Sequence, residues 1–274
     1  MVKKQDSSNI KQNIIRKAKQ LGADLIGFTS TDRWNEFKDT TPEYFPQNIF
    51  PGTQNVIVLG TRILIPMLDT TPSIVYSELY NTTNRLLDDI AYKLSVYINN
   101  KGYKAAFFPR DAYGDISILQ SKPEAAFSHV IAGKYAGLGT IGYNHTLITK
   151  EFGPRVRLVS VFTDADIIPD RMLKEDLCIK CKLCQKCCPT SAFTTTQSLI
   201  ANMDKSKCAE YHAKLKNDYR YPCGVCIKVC PIGHDRKLYG NNTKKYLNEK
   251  IIINQNSDAS EYSDWKHIRS FGSK

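Results

Sequence analysis

Helix and strand signals alternate across the first 173 residues, all nine cysteines lie between residues 178 and 230, and a glycine-rich GLGTIG segment occupies Gly137 to Gly142. These observations predict an α/β (α+β) domain over 1–173, a small cysteine-rich domain over 174–234 and a polar tail over 235–274.

The first element is an amphipathic helix over 8–21, with Ile10, Ile14, Ile15, Ala18 and Leu21 on one side and Lys11, Lys17 and Lys19 elsewhere. Gly22 ends it, as glycine does after a helix. A strand over 24–28 follows, then the Pro51-Gly52 break and a second strand over 56–64. Residues 74–99 read as a long helix with Leu86, Ile90, Leu94 and Tyr97 at helical spacing, closed by Asn99, Asn100 and Gly102. A short strand over 105–108 comes next, and then an Ala-rich helix over 123–136 opened by Pro123. The GLGTIG segment matches the G-x-G-x-x-G dinucleotide fingerprint, but that fingerprint needs a strand before it and a helix after it. Here a helix precedes and the strand-like 146–149 follows, which disfavours a nucleotide site. Two readings stay open: a turn where backbone packs closely, and a turn against which a flat cofactor lies. Residues 155–163, RVRLVSVFT, alternate and then become continuously apolar, as a strand does on entering a buried centre. Residues 165–177 link the two domains, and the tail carries one apolar patch, Ile251 to Ile253.

The cysteines form one run, C-x2-C-x2-C-x3-C-P, at Cys178, Cys181, Cys184, Cys188 and Pro189, and a second set, Cys208 followed by Cys223, Cys226, Cys230 and Pro231. Three thiolates at x2 spacing let one loop wrap an iron–sulfur cubane. In two-cluster ferredoxins the Cys before the Pro ligates the other cluster. That rule predicts a ferredoxin-like domain with two [4Fe-4S] clusters, one on Cys178, Cys181, Cys184 and Cys230, the other on Cys188, Cys208, Cys223 and Cys226. Cys187 is left over and reads as a small buried apolar residue. A zinc knuckle has no use for the third Cys at x2 spacing. Disulfides need an oxidising compartment, and Met1 to Ile10 is polar with no apolar signal region.

The net charge is +11, and its excess lies in the C-terminal 101 residues, with 18 Lys/Arg against 10 Asp/Glu; residues 1–173 carry 20 against 17. Two oxidised clusters with their thiolates bring about −4 and balance part of this. No Lys/Arg run marks a nucleic-acid surface. No apolar run approaches the roughly 20 residues of a membrane span, so the expected protein is cytoplasmic, with no membrane partner.

The stretch FSHVIAGKYAGLGTIGYNHTLITKEFGPRVRLVSVFTD at 127–164, followed by CIKCKLCQKCCP, Cys208 with Tyr211, and CGVCIKVCP, resembles epoxyqueuosine reductase and its shorter relatives, which share a catalytic core with corrinoid-dependent reductive dehalogenases. The resemblance runs from the opening helix to Pro231. It implies a cobalamin held against residues 128–145, with Ser128, His129, Gly137, Leu138, Gly139, Thr140, Gly142 and Asn144 as contacts, and a reductase fed with electrons through the clusters. A flavin in place of the corrinoid is the weaker alternative. A ferredoxin-like electron carrier without its own catalytic cofactor is the alternative of another class. The implied electron donor is a reduced ferredoxin or flavodoxin, and the implied macromolecular partner is tRNA.

Three departures qualify that transfer. The family's general acid is an Asp in a D-[ST]-x-P stretch, whereas residues 119–124 read LQSKPE, leaving Glu124, His129, Tyr143 or a water as proton donor. The family's GLGW-x-GK turn becomes GLGTIGY, with Thr140 and Tyr143 replacing an aromatic residue and a Lys. The helical-repeat domain that helps longer members hold tRNA has no counterpart in the roughly 40 residues after Cys230. Among further candidates, Asn144 and His145 read as cofactor contacts or as loop residues satisfying their own hydrogen bonds. Arg155 and Arg157 read as phosphate binders or solvated strand residues, and His212 and His234 as groups that tune cluster potential through sulfur.

Overall fold

The computed structural model describes residues 7–111, 114–240, 244–249 and 265–271. Four strands, β1 (Leu25–Ser30), β2 (Asn55–Arg62), β3 (Ala105–Phe108) and β6 (Val156–Thr163), form one sheet in the order β1-β2-β6-β3. Two further two-residue strands, β4 (Thr140–Ile141) and β5 (Leu147–Ile148), pair as a hairpin. Every pairing in the main sheet is antiparallel. Alternating helix and strand signals usually mean a parallel sheet. Here β6 inserts between β2 and β3, so the β2–helix–β3 crossover is a split unit and the fold is α+β.

Both faces of the sheet are covered. On one, Ile57 and Leu59 of β2 and Val159 and Val161 of β6 meet Ile10, Ile14 and Ala18 of the helix Ser7–Gln20 and Leu87, Ile90, Leu94 and Ile98 of the helix Ile74–Asn99. On the other, Val56, Val58, Leu158 and Phe162 pack on Trp34, Phe127, Ala132 and Tyr135. Two-sided burial explains why β2 and β6 read as continuous apolar runs, and each such side chain contributes about 1.5–3 kcal/mol. The long helix matches its expected span, with Ser73 capping the Tyr76 N–H. Its buried stripe runs through Leu87, Ala91 and Ile98, while Leu86, expected inside, is 38% exposed.

Around the glycine-rich turn the expectation needs correction. The helix there spans only His129–Tyr135 and starts at its cap Ser128, whose side chain accepts from Ile131 N–H at 3.2 Å. A separate helix, Ile116–Ser121, precedes Pro123. Proline disfavours helical backbone in the residue before it, and the cap fixes the later start.

The cysteine-bearing half packs on one end of the sheet. Short helices Leu183–Lys186 and Val225–Lys228 follow the cysteine loops, and the helix Lys205–Asn217 carries Cys208. The stretch read as a polar tail is partly structured, and it folds back. Within 236–249, Arg236 Nη1 donates to Tyr246 Oη at 3.0 Å, Tyr246 Oη donates to Asp69 Oδ1 at 2.8 Å, and Glu249 pairs with Lys228 at 2.7 Å. Arg269 pairs with Glu249 at 2.7 Å. Ile251 to Ile253 lie outside the described residues. Among the described residues no helix is long and apolar enough to cross a membrane.

Candidate functional site

A cavity of about 490 Å³ opens between the sheet and the cysteine-bearing half. The long helix supplies Tyr76 and Tyr80, the segment after β3 supplies Arg110 and Asp111, and β6 supplies Val156, Arg157 and Leu158. Opposite them stand Cys188, Cys208, Cys223 and Cys226, with Tyr211, His212 and Tyr221. Such a volume, mostly apolar with a few convergent polar groups, is typical of a small-molecule or cofactor site.

One polar cluster occupies its wall. Arg157 Nη2 donates to Asp111 Oδ1 at 2.8 Å and to Tyr80 Oη at 3.1 Å, while Tyr80 donates its own proton toward the Asp111 carboxylate at 3.0 Å. Asn84 closes the ring, donating to Asp111 Oδ2 at 3.1 Å and accepting from Arg157 Nε at 3.0 Å. The guanidinium also lies over the Tyr80 ring, 4.4 Å from its centroid. Arg157 therefore has protein partners in place of the phosphate suggested by sequence. Tyr80, Asn84 and Asp111 escaped the sequence reading altogether. Their signal was the i, i+4, i+8 row Tyr76, Tyr80, Asn84, a polar stripe on one side of the long helix.

A second, smaller cavity is lined by Cys178, Cys181, Cys184 and Cys230, together with Tyr143, Asn144 and Ile232. The nine cysteines thus divide into four around each cavity and Cys187, which is buried with its Sγ 3.8 Å from the carbonyl oxygen of Tyr246. Burial, reinforced by the neighbouring sulfurs of the same set, pushes the Cys184 and Cys223 thiols up to about 12 and the Cys208 thiol to about 11. Four crowded thiols in an apolar wall fit a cationic iron core that would take them as thiolates. The backbone N–H of Tyr143 points at Cys178 Sγ, 3.5 Å away, as amides do around sulfur ligands. Among the described residues no three His, Cys, Asp or Glu side chains form a site for a single ion.

The proposed cofactor contacts separate. Ser128, His129 and Asn144 line the main cavity, whereas Gly137, Leu138, Gly139, Thr140 and Gly142 do not. A Cβ on Gly137 would run into the carbonyl oxygen of Arg171, and one on Gly139 into that of Ile148. Thr140 Oγ1 accepts from Leu177 N–H at 2.9 Å. The turn is therefore a place where backbones approach closely, clasping the link to the cysteine loops. Asn144 spans the seam, donating to the Cys226 carbonyl at 3.2 Å and accepting from Thr146 Oγ1 at 2.8 Å.

All three expected proton donors have protein partners. Glu124 is on the surface, where a 2.7 Å hydrogen bond from Tyr44 holds its carboxyl below the usual range. Tyr143 is 2% exposed and its hydroxyl donates to Gln185 Oε1 at 3.2 Å and to the Thr194 carbonyl at 3.3 Å. His129 has both ring nitrogens engaged, Nδ1 with Ser160 Oγ and Nε2 with the Pro109 carbonyl, each at 2.9 Å; burial lowers its pKa to about 4. It is a neutral packing histidine. His145 Nε2 pairs with the Ala201 carbonyl at 2.7 Å. Arg155, read as a phosphate binder or a solvated residue, is completely buried and faces Asp235. His212 lies edge-on to Tyr221, with ring centroids 5.4 Å apart, and burial lowers its pKa to about 4. His234 is exposed.

No family model matches the chain. It is 29% identical over 197 residues to a tetrachloroethene reductive dehalogenase of Desulfitobacterium hafniense, an alignment covering 65% of this chain and 32% of that protein. Over 264 residues it is 24% identical to an epoxyqueuosine reductase of Listeria monocytogenes, covering 85% and 67%. In structure it is similar to a catabolic reductive dehalogenase in complex with 3-bromo-4-hydroxybenzoic acid, with a TM-score of 0.66 at 19% identity, covering 90% and 35%. It is also similar to an epoxyqueuosine reductase with a modified tRNA stem loop, with a TM-score of 0.55 at 20% identity, covering 82% and 66%. The chain is related to both kinds of reductase and shares their fold; it spans about a third of the length of the dehalogenases.

Proposed function

We propose that the chain is a reductase in which Cys178, Cys181, Cys184 and Cys230 would hold one [4Fe-4S] cluster, Cys188, Cys208, Cys223 and Cys226 another, and the main cavity a corrinoid. The observation that carries this reading is the shared wall: the second cysteine set lines the same cavity as the Tyr80, Asp111 and Arg157 cluster. Relatives named as reductases support it. When bound, these groups supply one-electron transfer and a strongly reducing metal, chemistry that side chains lack.

The chain's own residues do the rest. The apolar wall of Phe127, Val156 and Leu158 keeps water from the reacting centre, which strengthens every electrostatic contact there. Tyr80 holds a proton on Oη at the cavity wall, and Arg157 Nη2, 3.1 Å away, stabilises negative charge on that oxygen once the proton has left. Asp111 and Asn84 fix the guanidinium in place. Tyr80 thus takes the acid role for which the 119–124 stretch offers no Asp.

The test is anaerobic reconstitution followed by metal analysis and a visible spectrum with added cobalamin. About eight iron and one cobalt per chain is expected. Eight iron without cobalt overturns the corrinoid assignment and leaves a ferredoxin-like electron carrier. Tyr80→Phe in the loaded protein should retain the metals and lower turnover of a reducible substrate by about 10²-fold or more.

A further inference from the structure

We propose that the face around Cys181 is the docking surface for a small, acidic, one-electron carrier protein. The inference rests on the iron–sulfur reading above and adds where on the surface the electron donor docks.

Geometry sets the direction. The second cysteine set faces the internal cavity, whereas Cys181 of the first set is exposed, the most accessible class among the nine cysteines. An outside donor therefore reaches the first set, and the second set is the one next to the reacting site. Asn144 lines both the main cavity and the smaller one, so the two sets adjoin.

The surface there has the make-up of a transient electron-transfer interface. Ile179 is 64% exposed, an apolar centre beside the exposed sulfur. Lys180 and Lys182 flank Cys181 and both adopt left-handed backbone, with φ of 52° and 59°, which bends the chain around the cysteines. Residues 177–189 contain three lysines and no acidic residue, against Glu175 and Asp176 just upstream. Asp235, the nearest acid after Pro231, is already paired with Arg155. A small apolar centre with a basic rim suits a brief encounter of modest area, steered by opposite charge. The partner that fits is an acidic protein with its own redox centre. It gives up one electron and the group on Cys178, Cys181, Cys184 and Cys230 accepts it; no covalent bond forms or breaks.

The experiment uses the cluster-loaded protein and an oxidised plant-type [2Fe-2S] ferredoxin as the probe, with iron content measured first so that failure to load iron reports on the cluster reading alone. Calorimetric binding should weaken about tenfold between low and moderate salt, and about tenfold or more in K180E/K182E, within the range expected of electrostatic steering. Reduction by dithionite should be unchanged in that variant, and Lys93→Glu on the long helix should bind as the parent does. Carbodiimide cross-linking of the parent, which needs no variant, should couple Lys180 or Lys182 to ferredoxin carboxylates. Salt-independent binding, equal weakening by Lys93→Glu, or cross-links confined to other lysines would overturn the proposal.

Discussion

Arg155 and Asp235 form a two-pronged ion pair inside the protein, Nε to Oδ2 and Nη2 to Oδ1 both at 2.7 Å. The same guanidinium donates to the carbonyls of Cys230 at 2.9 Å and Ile232 at 2.5 Å. One side chain just ahead of β6 thereby sets the position of the loop that brings Cys230 to Cys178, Cys181 and Cys184. Planar geometry matters here, since lysine offers no fork.

Removing that fork should loosen the seam. Arg155→Leu is expected to lower the unfolding free energy by about 2–3 kcal/mol, because the half-buried Asp235 would lose its charged partner. Urea denaturation checks it. The double variant R155L/D235L should recover only part of the loss, since the loop carbonyls stay without their donor.

The crossed ligand assignment predicts opposite lesions from two cysteines only four residues apart. Cys230→Ser should lower iron from about eight to about four per chain and remove the cluster held with Cys178, Cys181 and Cys184. Cys226→Ser should spare that cluster and remove the other. Iron analysis with electron paramagnetic resonance of the reduced protein distinguishes them, and the reverse pattern would refute the assignment.

Cavity and glycine turn make competing claims to the corrinoid, and two substitutions separate them. Ala125 is exposed at the cavity rim, so Ala125→Trp should narrow the mouth without disturbing the core and weaken cobalamin uptake about tenfold or more. Leu138 packs on Gly27 of the edge strand β1 and is not part of the cavity lining, and Leu138→Ala should leave uptake unchanged. Spectrophotometric titration reads both.

What the sequence made legible follows from how local each signal is. Cys178 to Cys188 announce themselves because one short stretch carries thiols at regular spacing, and β2 and β6 because burial on both faces leaves an unbroken apolar run. The Gly137 to Gly142 turn stayed ambiguous because close approach of two backbones and close approach of a ligand demand the same residue. Arg157 and Asn84 are 73 positions apart and Arg157 and Asp111 are 46 apart, so only the folded sheet assembles that cluster. His129 looked available because its partner Ser160 lies 31 residues on, across the sheet. The tail hid its role in the same way, since Glu249 acquires meaning only on meeting Lys228.

His129 also gives the protein a defined acid sensitivity. Burial holds its pKa at about 4 against 6.5 in an exposed histidine, with the Pro109 carbonyl only partly offsetting that cost. The unfolded chain binds the proton more readily, so this stabilisation is complete above about pH 6.5 and drains away as pH falls toward 4. The loss approaches about 3 kcal/mol at the acid end. Carboxylates add their own acid lability, so the quantity to measure is the difference between the parent and His129→Gln, which keeps a neutral donor and acceptor. Their unfolding free energies should converge steadily between pH 6.5 and 4.5, with the parent falling faster. Parallel curves across that window would mean that the imidazole titrates normally and that its two hydrogen bonds do not hold it neutral.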